Sequence, residues 1–225
     1  MFFWDPTMVL LIPAIILAIY AQIKVKGTYQ KFRQIHNARK MTGYQAAVEL
    51  LRMNGISDVE VEETEGTLSD HYDPRVKKVR LSSDNYRGTS LAALAVAAHE
   101  VGHVIQHHKN YVPLQLRHMI LPVTNFGSWL AFPLFLIGFF LRTPFLMDLG
   151  IIFYAGVVVF HLVTLPVEFN ASGRALVQLQ SHGFLSTQEM GGAKKVLNAA
   201  ALTYVAATAM AVLQLVRLLI LRGDD

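Results

Sequence analysis

Ser90-Leu91-Ala92-Ala93-Leu94-Ala95-Val96-Ala97-Ala98-His99-Glu100-Val101-Gly102-His103-Val104-Ile105-Gln106-His107-His108 is the stretch whose reading settles the architecture. The Ala-rich pattern predicts a helix to about residue 108, with Thr89 or Ser90 as its N-cap. Its apolar part before His99, residues 91–98, is eight residues long, whereas a bilayer crossing needs about 20. The helix is therefore expected to be buried in a folded domain or packed at the membrane interface. Inside it, His99-Glu100-Val101-Gly102-His103 forms an H-E-x-x-H pattern. Histidines four apart lie about 40° apart around a helix and about 6 Å along it, so both imidazoles can reach one zinc ion. Glu100 lies about 100° from His99 around the axis, where its carboxylate can serve as a general base without displacing a ligand. Chance placement of His and Glu yields the pattern in about 1% of such chains. Gly102 costs about 1 kcal/mol relative to Ala in a helix interior, which signals close approach of another element.

Around this helix the 225-residue chain is too apolar for an ordinary soluble globule: charged residues make up 16%, against about 25% in soluble domains. Mean hydropathy is +0.37. Four runs are long enough to span, at 2–23, 119–141, 149–167 and 199–221. The first contains Asp5 and reads as a retained anchor; the last contains Arg217, near enough to its end to snorkel. Fourteen Lys and Arg fall in 24–117 and three in 167–197, against one, Arg142, between the second and third spans. The basic segments belong in the cytoplasm, which predicts both termini outside and both segments on one aqueous face. With no cysteine, disulfides and thiolate metal sites are excluded. The net charge of +4 is scattered rather than clustered, which argues against nucleic acid as a partner.

Within 24–117, Thr42 caps an amphipathic helix that closes at Asn54-Gly55. Alternating runs at 59–63, 68–72 and 76–82, with Asp73-Pro74 as a turn, predict a short antiparallel meander. Ser186 and Glu189 fit a capping box for a last helix that runs on into the fourth span. The fold class is a mainly α polytopic membrane protein, with four transmembrane helices and a small α+β domain. Its expected organisation is helix 1 at 1–23, a cytoplasmic domain at 24–117 and a hairpin of helices 2 and 3 at 118–167. A cytoplasmic segment at 168–198 and helix 4 with a short tail at 199–225 complete it.

A catalytic zinc normally takes a third protein ligand. His107 is about 12 Å along the axis from His99 and cannot share the ion. Glu168, in Leu165-Pro166-Val167-Glu168-Phe169-Asn170-Ala171-Ser172 at the cytoplasmic end of the third span, is the candidate, because a carboxylate at a span end is costly unless used.

Several runs together resemble the YugP-like neutral zinc metallopeptidases of bacterial membranes. They are Ser69-Asp70-His71-Tyr72-Asp73-Pro74-Arg75, Arg80-Leu81-Ser82, residues 92–106, the segment from Leu165 to Ser172, and Ala193-Lys194-Lys195-Val196-Leu197-Asn198-Ala199-Ala200. The resemblance covers nearly the whole chain. It implies a membrane zinc endopeptidase of the gluzincin type with a zincin-like domain, one Zn²⁺ on His99, His103 and Glu168, Glu100 as base, and protein or peptide substrates. It also implies a multi-pass protein of the bacterial cytoplasmic membrane. HtpX-type membrane proteases are more distantly similar; Ser172 stands where their second motif has Asp, and Asn170 is the alternative partner for a ligand histidine.

His182, Arg174 and Tyr111 are candidate transition-state donors. His161 lies two turns before Glu168 on one face, His71 beside Asp70 and Asp73 suggests a second metal or a satisfied turn, and strand 76–82 could offer an edge to substrate. The rival functions are an intramembrane protease and a scaffold with a structural zinc.

Overall fold

The computed structural model describes residues 6–223; the first residues of the expected span at 2–23, Asp5 among them, lie outside it. A 3-10 turn, Pro6–Leu11, leads into α1 (Ile12–Arg33), and α2 (Gly43–Met53) follows. Then come β1 (Glu60–Thr64), β2 (His71–Asp73), β3 (Lys78–Ser82), the short α3 (Ser83–Tyr86) and α4 (Leu91–His108). Three long helices complete the chain: α5 (Val112–Phe140), α6 (Pro144–Ser181) and α7 (Thr187–Gly223). Pro6–Arg33, Val112–Phe140, Pro144–Ser181 and Thr187–Gly223 are long and apolar enough to cross a membrane. This is a mainly α polytopic membrane protein with a small sheet.

Among the described residues, one compact unit comprises 6–22, 112–166 and 203–223. Its α5–α6 hairpin closes where small residues let backbones meet: a Cβ on Gly150 would stand 2.7 Å from the Ala131 carbonyl oxygen. Phe135, Met147, Tyr154, Val158 and Leu218 form its core, while Trp129, Phe145 and Ile152 point outward, as lipid-facing side chains do.

The other unit comprises residues 23–111 and 167–202 and is built around α4. Ser90 caps α4 by accepting from the Ala93 N–H, and α4 buries Ala92, Leu94, Ala95, Ala98, Val101, Val104 and Ile105 around its circumference. A helix apolar on all sides must be enclosed, as its sequence predicts. Its start is tied to the chain after α1: Leu91 N–H donates to Ile35 O at 2.8 Å, and the buried Asn37 side chain bonds Met41 and Thr89. α2 carries the expected Thr42 cap, completed into a capping box by Gln45, and ends at Asn54, with Gly55 at φ +68°.

The sheet is not the antiparallel meander expected. β3 is central, parallel to β1 and antiparallel to β2. Charge explains the order. In register with β3, Glu62 of β1 meets Lys78 at 2.7 Å and Arg80 at 2.6 Å. A meander would have laid the acidic β1 beside Asp70 and Asp73. With Val79 and Leu81 buried and both sides paired, β3 offers no free edge to substrate; the outer strands are β1 and β2.

The helices also outrun the apolar windows read from sequence. Past residue 167, α6 buries Val167, Ala171, Ala175 and Leu179 at successive fourth positions, a stripe of mostly small residues packed into the core around α4. α7 starts with the expected Ser186 and Glu189 box and runs unbroken to Gly223.

Candidate metal centre

α4 presents His99 and His103 one turn apart, facing the stretch of α6 that carries Glu168. The two Nε2 atoms are 3.2 Å apart, and Glu168 Oε2 is 3.3 Å from His99 Nε2 and 3.6 Å from His103 Nε2. A tetrahedral zinc bonded to N and O at about 2.0–2.1 Å has ligand edges of about 3.3–3.4 Å, so this triangle fits the ion. Among the described residues these three form the whole His/Asp/Glu group, so a tetrahedral ion held by them would keep a fourth position for water or substrate.

Gln106 decides which nitrogens face the triangle. Its Nε2 donates to Val167 O at 2.8 Å and Asn170 Oδ1 at 3.0 Å, which turns its Oε1 toward His103 Nδ1 at 3.0 Å. An amide oxygen only accepts, so Nδ1 carries the proton and Nε2 presents a lone pair. Asn170 Oδ1 also accepts from Arg174 Nε at 2.7 Å, and the Arg174 guanidinium lies 6.0 Å from the Tyr111 ring centre. On His99, Nδ1 meets Ser172 Oγ at 3.1 Å. The His103 lone pair and the Glu168 carboxylate thus meet beside His99 Nε2, an arrangement a divalent cation suits.

The two helices reach this distance because of Gly102, whose added Cβ would stand 2.6 Å from Ala171 O. This is the close approach that a glycine in mid-helix signalled.

Glu100 is buried beside His99 and does not join the triangle. Burial pushes its carboxyl up to about 7; His99 draws it down, and Asp70 and Glu168 raise it. Asp70 is itself held by Ser82 N–H at 2.8 Å and Asn85 Nδ2 at 2.9 Å.

The structure separates the remaining candidates. Ser172 contacts His99, whereas Asn170 reaches His103 only through Gln106. Arg174 and Tyr111 join that network at its far end. His182 bonds Gln178, about 20 Å along the helix from Glu168. His161 lies in the other unit with its ring against Phe160. His71 bonds Ser69 O and lies outside the metal group, as a satisfied turn requires. His107 is taken by the Tyr72 hydroxyl at 2.8 Å. Gln106 was missed by sequence reasoning; its place three residues after His103, on the same helix face, was the available signal.

The family described as "Putative neutral zinc metallopeptidase" matches residues 7–223. The chain is also 47% identical over 218 residues to "Putative membrane protease YugP" of Bacillus subtilis (strain 168), covering 96% of this chain and 97% of that one. No solved structure matches. A family match over residues 7–223 and 47% identity over 96% of the chain make this protein a member of that zinc metallopeptidase family.

Proposed function

We propose that the chain is a membrane-bound zinc endopeptidase that hydrolyses peptide bonds of protein substrates, with one zinc held by His99, His103 and Glu168. The observation that carries this reading is the donor triangle with edges of 3.2 to 3.6 Å and Glu100 next to it. When bound, zinc polarises a carbonyl and acidifies water.

The protein's own residues supply the rest. Gln106 and Ser172 hold the imidazoles in orientation. The Glu100 carboxylate takes a proton from the attacking water and returns it to the leaving amine; burial, which brings it near neutrality, suits both transfers. Both segments of the site, in 24–117 and 168–198, are assigned to the cytoplasmic face of a bacterial cytoplasmic membrane by the Lys and Arg bias of the loops. Glu100→Gln should retain zinc and lose at least about 10²-fold in turnover. A variant that cleaves like the wild type would overturn the role of Glu100.

A further inference from the structure

Away from the metal centre, a groove of about 560 Å³ runs between α1 and α7. α1 lines it with Ile23, Lys24, Gly27, Thr28, Lys31 and Phe32, and α7 with Lys195, Asn198, Ala199 and Leu202. Two features set it apart from an ordinary surface cleft.

The first is charge. Three lysines enter the lining and no carboxylate does. Lys31 Nζ lies 5.8 Å from the Phe32 ring centre, and among the described residues neither Lys24 nor Lys195 has a carboxylate partner. The second is depth. Ile23 ends the apolar run of α1 and Lys24 follows it, while on α7 Lys195 and Asn198 come just before the apolar run that holds Ala199 and Leu202. Both helices therefore change from polar to apolar within the groove. On each helix the lining recurs at i, i+3, i+4 and i+7: Lys24, Gly27, Thr28 and Lys31 on one, Lys195, Asn198, Ala199 and Leu202 on the other. The floor is open at Gly27, where a Cβ would meet nothing within 4 Å.

We infer that this groove binds the headgroup of an anionic phospholipid. Lys24, Lys31 and Lys195 neutralise its phosphate, the Thr28 hydroxyl and the Asn198 amide donate to its oxygens, and Ile23, Ala199 and Leu202 meet the upper acyl chains. Basic pockets between membrane helices at the headgroup level recognise lipids through this combination of charge and apolar surface. A soluble anion would use the lysines but leave the apolar floor unused.

The test uses the full chain in neutral detergent, titrated with phosphatidylglycerol, phosphatidylcholine or inorganic phosphate. Lipid retention is read by native mass spectrometry and protection by thermal shift. Wild type should retain phosphatidylglycerol and be protected by it, with no matching effect of phosphatidylcholine or phosphate. Lys24→Gln with Lys195→Gln, both exposed positions, should weaken retention about thirtyfold, from roughly fivefold per lysine. Gly27→Leu keeps every lysine but fills the groove, and should abolish retention. Unchanged zinc content in each variant reports that it has folded. Equal retention of both lipids, equal protection by phosphate, or unchanged phosphatidylglycerol retention in the lysine variant would overturn the inference. So would a lysine variant that alters oligomeric state but not lipid retention.

Discussion

Gly102→Ala separates helix preference from site geometry. The added methyl would stand 2.6 Å from the Ala171 carbonyl oxygen, where ordinary contact begins at 3.4 Å, so α4 and α6 must part or tilt by most of the difference. The contact lies inside the metal centre: His103 adjoins Gly102, and Glu168 is three residues before Ala171. A zinc site tolerates about 0.2 Å in its bond lengths. Alanine gains about 1 kcal/mol of helix propensity, and overpacking costs about 1–3 kcal/mol. Thermal stability should therefore fall little, while zinc affinity falls about 10- to 100-fold or more. Competition with a chelator in detergent measures the affinity, and thermal unfolding measures the stability. Gly173→Ala is the control, because a Cβ there meets nothing within 4 Å; it should leave zinc affinity unchanged. Wild-type affinity in Gly102→Ala would refute the claim that this contact sets the ligand triangle.

Gln106→Leu should weaken zinc about 10- to 100-fold by freeing the His103 ring. Gln106→Glu should also weaken it, because its second oxygen would face two acceptors, Val167 O and Asn170 Oδ1; wild-type affinity in Gln106→Glu would contradict the assigned amide orientation. Lys78 and Arg80 hold the Glu62 carboxyl below its ordinary 4.5. A lowered pKa contributes stability above the unfolded value and loses it as pH falls through the folded one. Glu62→Gln should accordingly melt slightly below the wild type at pH 7 and converge with it as pH falls through the lowered folded value, a gap that salt narrows; a gap independent of pH would contradict the ion-pair assignment.

Much of the site could be read from the chain because its signals are local. The Ser90 cap, the unbroken Ala-rich run and the pair His99 and His103 all follow from helix periodicity, and Glu168 stood out as a carboxylate at the end of an apolar span. The order of the strands could not be read the same way. Each run alternates correctly, but which neighbours pair depends on Glu62 finding Lys78 and Arg80 across the sheet, a property of two segments at once. The extension of α6 was hidden for a different reason. Its buried stripe of Val167, Ala171, Ala175 and Leu179 is interleaved with Glu168, Asn170, Ser172 and Arg174, so the segment reads as polar until α4 packs against it. Gln106 looked like an ordinary helix residue because its value lies in three partners, two of them 61 and 64 positions away.

The most direct test is zinc per chain, by elemental analysis, in wild type and Glu168→Ala purified side by side in detergent. About one zinc in wild type and a clear loss in the variant is the predicted result. No zinc in wild type after reconstitution, or the same zinc content in Glu168→Ala, would contradict the three-ligand centre.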